Sequence, residues 1–327
     1  MKSEWRTVAL GSVADLTVGF VGTMASNYTE TGIPFLRSTN IEPFDIKLDD
    51  IKYISSNFNE SLRKSELHPN DVVIVRTGTP GACAVIPAGV KAWNCSDLVI
   101  VRPHRNKLNP LFLASYVNLA SGVINTQLVG AVQQHYNVGA AKKMQIPLPP
   151  IGEQDKIASI IGMLNKKITI NSKINDNLEQ QAATYFQELF INNANPVWQI
   201  STISDLGTVV GGSTPSKTKP EYYTNNGIAW ITPKDLSINK SKFISHGEND
   251  ITELGLKNSS ATVMPKGTVL FSSRAPIGYI AIASNEVTTN QGFKSVIPYS
   301  EIGTAFVYFF LKHSLPVIES AASGSTF

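Results

Sequence analysis

The sequence predicts an α+β chain in which two copies of one mixed α/β domain are joined by a long coiled-coil-type helix. Three observations predict it. Apolar residues recur at alternating steps of four and three through the middle of the chain, the flanking segments resemble each other, and prolines and a glycine bracket the start of the periodic stretch. Size agrees, because 327 residues exceed one average domain, while 42% hydrophobic and 16% charged residues is ordinary globular composition. The expected domains are residues 1–150, 151–195 and 196–327.

The central helix is set by Ile146-Pro147-Leu148-Pro149-Pro150-Ile151-Gly152-Glu153-Gln154. Prolines lack an amide donor and hold the approach extended, so a helix starts only after them. From there a seam runs through Ile157, Ile161, Leu164, Ile168, Asn171, Asn175, Leu178, Ala182, Tyr185 and Leu189 and ends near Asn195. Its period of 3.5 is that of a coiled coil sustained for about five heptads, near 55 Å of helix. Asn171 and Asn175 interrupt it. Polar seam residues cost stability but fix register and partner number, which fits a helix paired in one alignment.

The flanks are related in order. Trp5 to Leu16 answers Trp198 to Leu206, Gly32 to Ile41 answers Gly227 to Leu236, and Pro69 to Thr77 answers Pro265 to Ser273. The last pair reads as a tight turn into a buried β-branched strand. A proline-containing loop follows each, then Asn94-Cys95-Ser96-Asp97 or Asn290-Gln291-Gly292-Phe293, then an aromatic-rich helical segment, Pro110 to Leu119 or Gly303 to His313. The offset stays between roughly 191 and 197 residues, as one duplicated domain requires. Residues 322 to 327 align with the neighbourhood of Gln133 to Tyr136, so a second helix is expected to be absent and the second domain incomplete.

Composition narrows the function classes. Lys plus Arg total 28 against 25 acidic residues, a net of +3, which leaves nucleic acid open without demonstrating it, since local patches create the field that holds phosphates. Cys83 and Cys95 are too few for a disulfide framework, no apolar signal core follows Met1, and the longest apolar run, Ala305 to Leu311, is far short of a membrane span. The expectation is a soluble cytoplasmic protein without membrane contact.

The duplicated Trp-led openings, the strand-turn blocks, the Ser273-Arg274-Ala275-Pro276-Ile277-Gly278 loop and the Pro-Leu-Pro-Pro approach with Glu153-Gln154 carry a resemblance over essentially the whole chain. It resembles the specificity subunit of type I restriction-modification systems. The resemblance implies two target recognition domains, each reading one half of a bipartite double-stranded DNA site. It also implies methyltransferase subunits that dock on the helical region and carry the S-adenosylmethionine, a translocase-nuclease restriction subunit where one is present, and no cofactor or catalytic group in this chain. An exposed Ile and Leu seam implies pairing with another chain, most simply a second copy in antiparallel register. A second reading is a partial specificity cassette acting as an oligomerising module or recombination donor.

Base readout needs Arg or Lys for guanine, Asn or Gln for adenine, and Ser or Thr as adaptable partners, all on exposed loops. Candidates in the first domain are Arg37, Ser38, Thr39, Asn40, Arg76, Thr77, Thr79, Gln133, Gln134, His135 and Tyr136, with Lys142 and Lys143 placed for phosphate. In the second they are Thr214, Lys217, Lys219, Thr232, Lys234, Ser272, Ser273, Arg274, Asn290 and Gln291. Arg76 and Arg274 stand out because each follows a buried strand of the repeat. Enzyme readings fail: there is no phosphate loop, Asn109-Pro110-Leu111-Phe112 lacks the second proline of an amino-methyltransferase motif, and the five histidines are scattered with no metal spacing.

Overall fold

The computed structural model describes residues 5–322 except 79, 120–136 and 275. Thr79, Gln133, Gln134, His135 and Tyr136 therefore lie outside the described residues. The chain forms two compact units, Met1–Ile174 and Asn175–Phe327. The division falls inside one continuous helix, Ile151–Phe186, which ends in a π-helical turn, Gln187–Asn192.

In the first unit, Val72–Val75 lies between Cys83–Val85 and Leu98–Pro103, with Ala14–Val18 beyond, in an antiparallel sheet. Val72, Ile74, Val99 and Val101 face one apolar core, whereas Val73, Val75, Leu98 and Ile100 face a second. A strand covered on both faces must be apolar at every position, which is why the sequence shows an unbroken run there rather than alternation. Pro110–Leu119 covers the first core through Phe112, Leu113 and Val117. A second sheet, built on Ile33–Leu36 with Trp93–Cys95 parallel to it, covers the other. Both cysteines are buried and unpaired here, Cys83 against the carbonyl of Ala114 and Cys95 against that of Ser65.

The second unit repeats the arrangement. Val269–Phe271 lies between Ile280–Ala283 and Lys294–Pro298, and its residues again alternate between two cores. Ile228–Ile231 with Thr288–Thr289 parallel to it matches the pair in the first unit. The turn entering the central strand is the same in both. Asn70 (φ 72°) donates to the Ile86 carbonyl and Gly267 (φ 88°) to that of Ala283, and left-handed backbone favours Asn and Gly. One edge strand, Phe243–Ile244, runs parallel to Ile280–Ala283.

The long helix is anchored at its first turn by Gln154, which is fully buried. Its Oε1 accepts from the Asn109 amide at 2.9 Å, and its Nε2 donates to the carbonyls of Lys107 (2.9 Å) and Pro149 (2.8 Å). Ala158 and Ile157 pack on the first unit's core, and Gly162 lies against Leu111. This corrects part of the expected pairing seam. Ile157 belongs to the core of its own unit and Ile161 is half-buried, because the helix must cover the sheet before it can offer a seam. From Leu164 onward the seam is bare except at Ala182, which packs on the second unit's core: Leu164 (56% exposed), Ile168 (63%) and Leu178 (56%) face solvent, as do Tyr185, Leu189, Asn171 and Asn175. Ile160, Met163, Ile170 and Ile174 widen this stripe. At 3.6 residues per turn the stripe sits about a third of a turn from the face carrying Gln154, Ala158 and Asn165.

In the second unit Phe186 joins the core with Phe309 and Val307 of the closing helix, Thr304–Ala322. Glu179 holds the same contact electrostatically. It accepts from Tyr308 at 2.9 Å and Lys312 at 2.6 Å, and pairs with Lys242 at 3.4 Å. Burial pushes its carboxyl up, but the hydrogen bonds from Lys312 and Tyr308 and the charges of Lys312 and Lys242 outweigh it and hold the group below its ordinary value. A depressed carboxylate stabilises above its unfolded value, and that contribution is lost as pH falls through the folded one. Glu179→Gln is therefore expected to lower the stability of the second unit by about 1–2 kcal/mol at neutral pH. The gap to the wild type should close as melts are repeated at pH values progressively below 4.5.

Candidate nucleic-acid interface

A cleft of about 700 Å³ opens on the second unit where four loops meet. The loop after strand Gly207–Gly211 brings Thr214 and Lys217. Trp230 fixes that loop by donating from its indole to the Ser213 carbonyl at 3.0 Å, and Tyr223 does so through the Pro215 carbonyl at 2.6 Å. Helix Pro233–Ile238 begins at the cleft and supplies Thr232 and Lys234. Its start is written in Thr232-Pro233-Lys234-Asp235. Proline suits the first helical position, and the Asp235 carboxylate accepts from the Thr232 amide (2.7 Å) and hydroxyl (2.6 Å). The other Asp235 oxygen accepts from the Glu248 amide at 2.8 Å.

The remaining walls are Arg274 with Tyr279, and Asn290-Gln291-Gly292. Thr214 donates to the Gln291 side chain, and Asn290 Oδ1 accepts from the Gly292 amide at 2.9 Å, so Gln291 is held from the Thr214 loop and Asn290 by its own. Lys234 pairs with Glu248 at 2.6 Å, and that hydrogen bond raises its ammonium above the ordinary value, keeping it charged but locally balanced. Arg274 is exposed and makes no ion pair among the described residues. Thr214, Lys217, Thr232, Lys234, Arg274, Asn290 and Gln291, scattered through the sequence, thus line one concavity.

Other expected residues are placed differently. Ser272 is fully buried; its hydroxyl donates to the Pro276 carbonyl and accepts from the Tyr279 amide, so it shapes the loop rather than facing a ligand. Ser273 contacts the Gly292 carbonyl at 3.4 Å, and Lys219 lies over the Tyr222 ring outside the cleft lining. In the first unit Asn40 is buried, accepting from the Arg37 amide and donating to the Lys47 carbonyl. Arg37 is tied to Asp50 at 2.8 Å, and hydrogen bonds from Arg37 and then Lys52 lower the Asp50 carboxyl, so the pair stays ionised. Ser38 and Thr39 occupy the short turn between them, Ser38–Asn40.

Arg76 is likewise held, donating to Asp97 at 2.8 Å with its side chain mostly covered, while Thr77 donates to the other Asp97 oxygen at 2.9 Å. Asp97 itself sits at φ 55°. Sequence reasoning missed Asp50 and Asp97 as the partners of the two arginines. Nothing local signals them, because each lies 13 or 21 residues from the arginine it binds. Lys142 and Lys143 are exposed in the last turn of helix Val138–Lys143. Arginine, lysine and amides gathered on rigid strand ends are the donor and acceptor set that reads base edges and phosphates.

The chain is 44% identical over 146 residues to the type I restriction enzyme MjaIX specificity subunit of Methanocaldococcus jannaschii, a match covering 44% of this chain and 34% of that protein. It is 27% identical over 175 residues to the EcoR124I/EcoR124II specificity subunit of Escherichia coli, covering 51% and 43%. The matched stretches thus span less than half the length of these two relatives. The crystal structure of a type I restriction-modification S subunit from M. genitalium shares the fold, with a TM-score of 0.58 at 15% identity over 98% of this chain and 80% of that one. The model of the type I restriction modification DNA specificity domain matches residues 2–180 and again 196–327, once for each copy of the repeat, and the chain belongs to that family.

Proposed function

We propose that this chain is a DNA-reading adaptor. Each unit engages one half of a bipartite double-stranded site. Methyltransferase subunits dock on the helical region and bring the S-adenosylmethionine and the chemistry. A restriction subunit joins where the system has one. This chain positions those partners and breaks or forms no bond itself. The observation that carries the reading is the cleft of the second unit, where residues from four separate loops converge as a set of base-edge and phosphate ligands. Co-expression with the methyltransferase of the same system and methylome sequencing tests it. Methylation at a split motif is expected; methylation at an uninterrupted motif, or none, counts against it.

The bare stripe from Leu164 to Leu189 supports a second element of this reading, pairing of the helix with another helix, most simply that of a second copy in antiparallel register. A run of Ile and Leu this long on one face exceeds the scattered apolar residues of a monomer's surface. Asn171 and Asn175 near its middle would fix the register. Leu164→Lys combined with Leu178→Lys is expected to convert a dimer to a monomer in analytical ultracentrifugation at micromolar concentration, with the thermal melt of both units unchanged. A wild-type chain that sediments as a monomer refutes the pairing.

A further inference from the structure

We infer that the two units read DNA with different chemistry at one equivalent loop pair, and that Arg274 is the guanine-reading residue of the second unit. The inference rests on the DNA-reading function proposed above.

Backbone hydrogen bonds fix the equivalence. The Val75 amide donates to Ala82 and the Gly81 amide to Val75; the Ser272 amide donates to Tyr279 and the Gly278 amide to Ser272. Val75 and Ser272 therefore hold the same place, Arg76 corresponds to Ser273, and Arg274 corresponds to Thr77. On the facing loop, Cys95 pairs with Leu36 as Thr289 pairs with Ile231, and the next amides, Ser96 and Asn290, donate to those same partners' carbonyls. Counted from this side Asp97 corresponds to Gln291; counted back from the central strands, where Leu98 faces Val75 as Phe293 faces Ser272, it corresponds to Gly292, and neither is a carboxylate.

At this loop pair the first unit carries Thr77 and Asp97, with Arg76 neutralised by the carboxylate. What it offers a base is an acceptor whose charge is already compensated. The second unit carries Arg274 and Gln291, with no carboxylate at either place. Gln291 is fixed by Thr214, and Arg274 stands exposed in the lining of the same cleft, which Tyr279 and Pro276 also form. An uncompensated guanidinium presents a planar fork of donors, which fits guanine O6 and N7 and nothing on the other three bases as well. Lys217, on another loop of the cleft, is a point charge suited to phosphate.

The test uses the full chain and duplexes it selects from a randomised pool, read by fluorescence anisotropy at several salt concentrations. Arg274→Ala is expected to weaken binding to the selected duplex about five- to 150-fold and to abolish preference at one guanine position of one half-site. Arg274→Lys should restore that preference only in part, because an ammonium lacks the planar fork. Lys217→Ala should weaken all duplexes alike and reduce the salt slope by about one. If Arg274→Ala weakens every duplex equally with a reduced slope, or changes nothing, Arg274 is not a base reader and the assignment falls while DNA reading stands. If the wild-type chain enriches no sequence from the pool, the DNA-reading function itself falls and carries the assignment with it. Arg274 is exposed, so an unchanged melt confirms that the variants are folded.

Discussion

Replacing Gln154 with alanine is expected to lower the stability of the first unit by about 3 kcal/mol or more, the largest effect of any single substitution on the long helix. The side chain is fully buried, and its removal strands the Pro149 carbonyl in a buried place and the Asn109 amide and Lys107 carbonyl in partly buried ones. An unpaired buried polar group costs about 1–3 kcal/mol, so one such group with two partly buried ones outweighs the side-chain entropy released by the substitution. Each kcal/mol moves the midpoint of a unit this size by about 2–4 °C, and the first unit's transition should fall by about 6–12 °C in a thermal melt while the second unit's stays in place. Gln154→Glu separates hydrogen bonding from packing. A carboxylate still accepts from Asn109 but faces two carbonyls, so this variant should be as damaged at neutral pH and recover in part as acid protonates it and restores one donor.

Gly212→Ala is expected to cost about 2–3 kcal/mol in the second unit and to remove its contribution to base preference. A Cβ at Gly212 would overlap the carbonyls of Asn290 and Thr289 and the Thr289 hydroxyl. Two of these atoms are backbone, so no rotamer change relieves the overlap. Strand Thr288–Thr289 is buried and paired with Ile228–Ile231 and cannot retreat without opening the sheet. The loop that gives way is the one carrying Asn290 and Gln291. Chemical denaturation should show the second unit's midpoint lowered, and selection from a randomised duplex pool should return one half-site instead of two.

The repeat and its central helix were legible because both are patterns of residue type along the chain. Strands buried on two faces read as unbroken apolar runs, the Pro-Leu-Pro-Pro approach stops one element and starts the next, and a 3.5-residue period survives over many turns. Arg76 and Arg274 show where such reading stops. Both are cations following a buried strand, and sequence pairs them, yet they are one residue out of register. In the second unit Ser272, a fully buried polar residue bridged to Phe293, extends the strand Val269–Phe271, so the sequence places the end of the pairing one residue early. The fate of Arg76 depends on Asp97, which precedes the neighbouring antiparallel strand, separated in the chain by two other strands, and is fixed by strand pairing, not by spacing. Ile157 kept its heptad position but was claimed by its own unit's core, a choice that periodicity alone does not make.

The two buried thiols, Cys83 and Cys95, have a practical side. Burial pushes both well above the ordinary range, so in the folded chain neither ionises near neutrality and neither is reachable by an alkylating reagent. Both sit in the first unit. Mass gained during incubation with iodoacetamide therefore clocks how often that unit opens, with no engineered label and no signal from its twin, so the chain carries its own one-sided stability gauge.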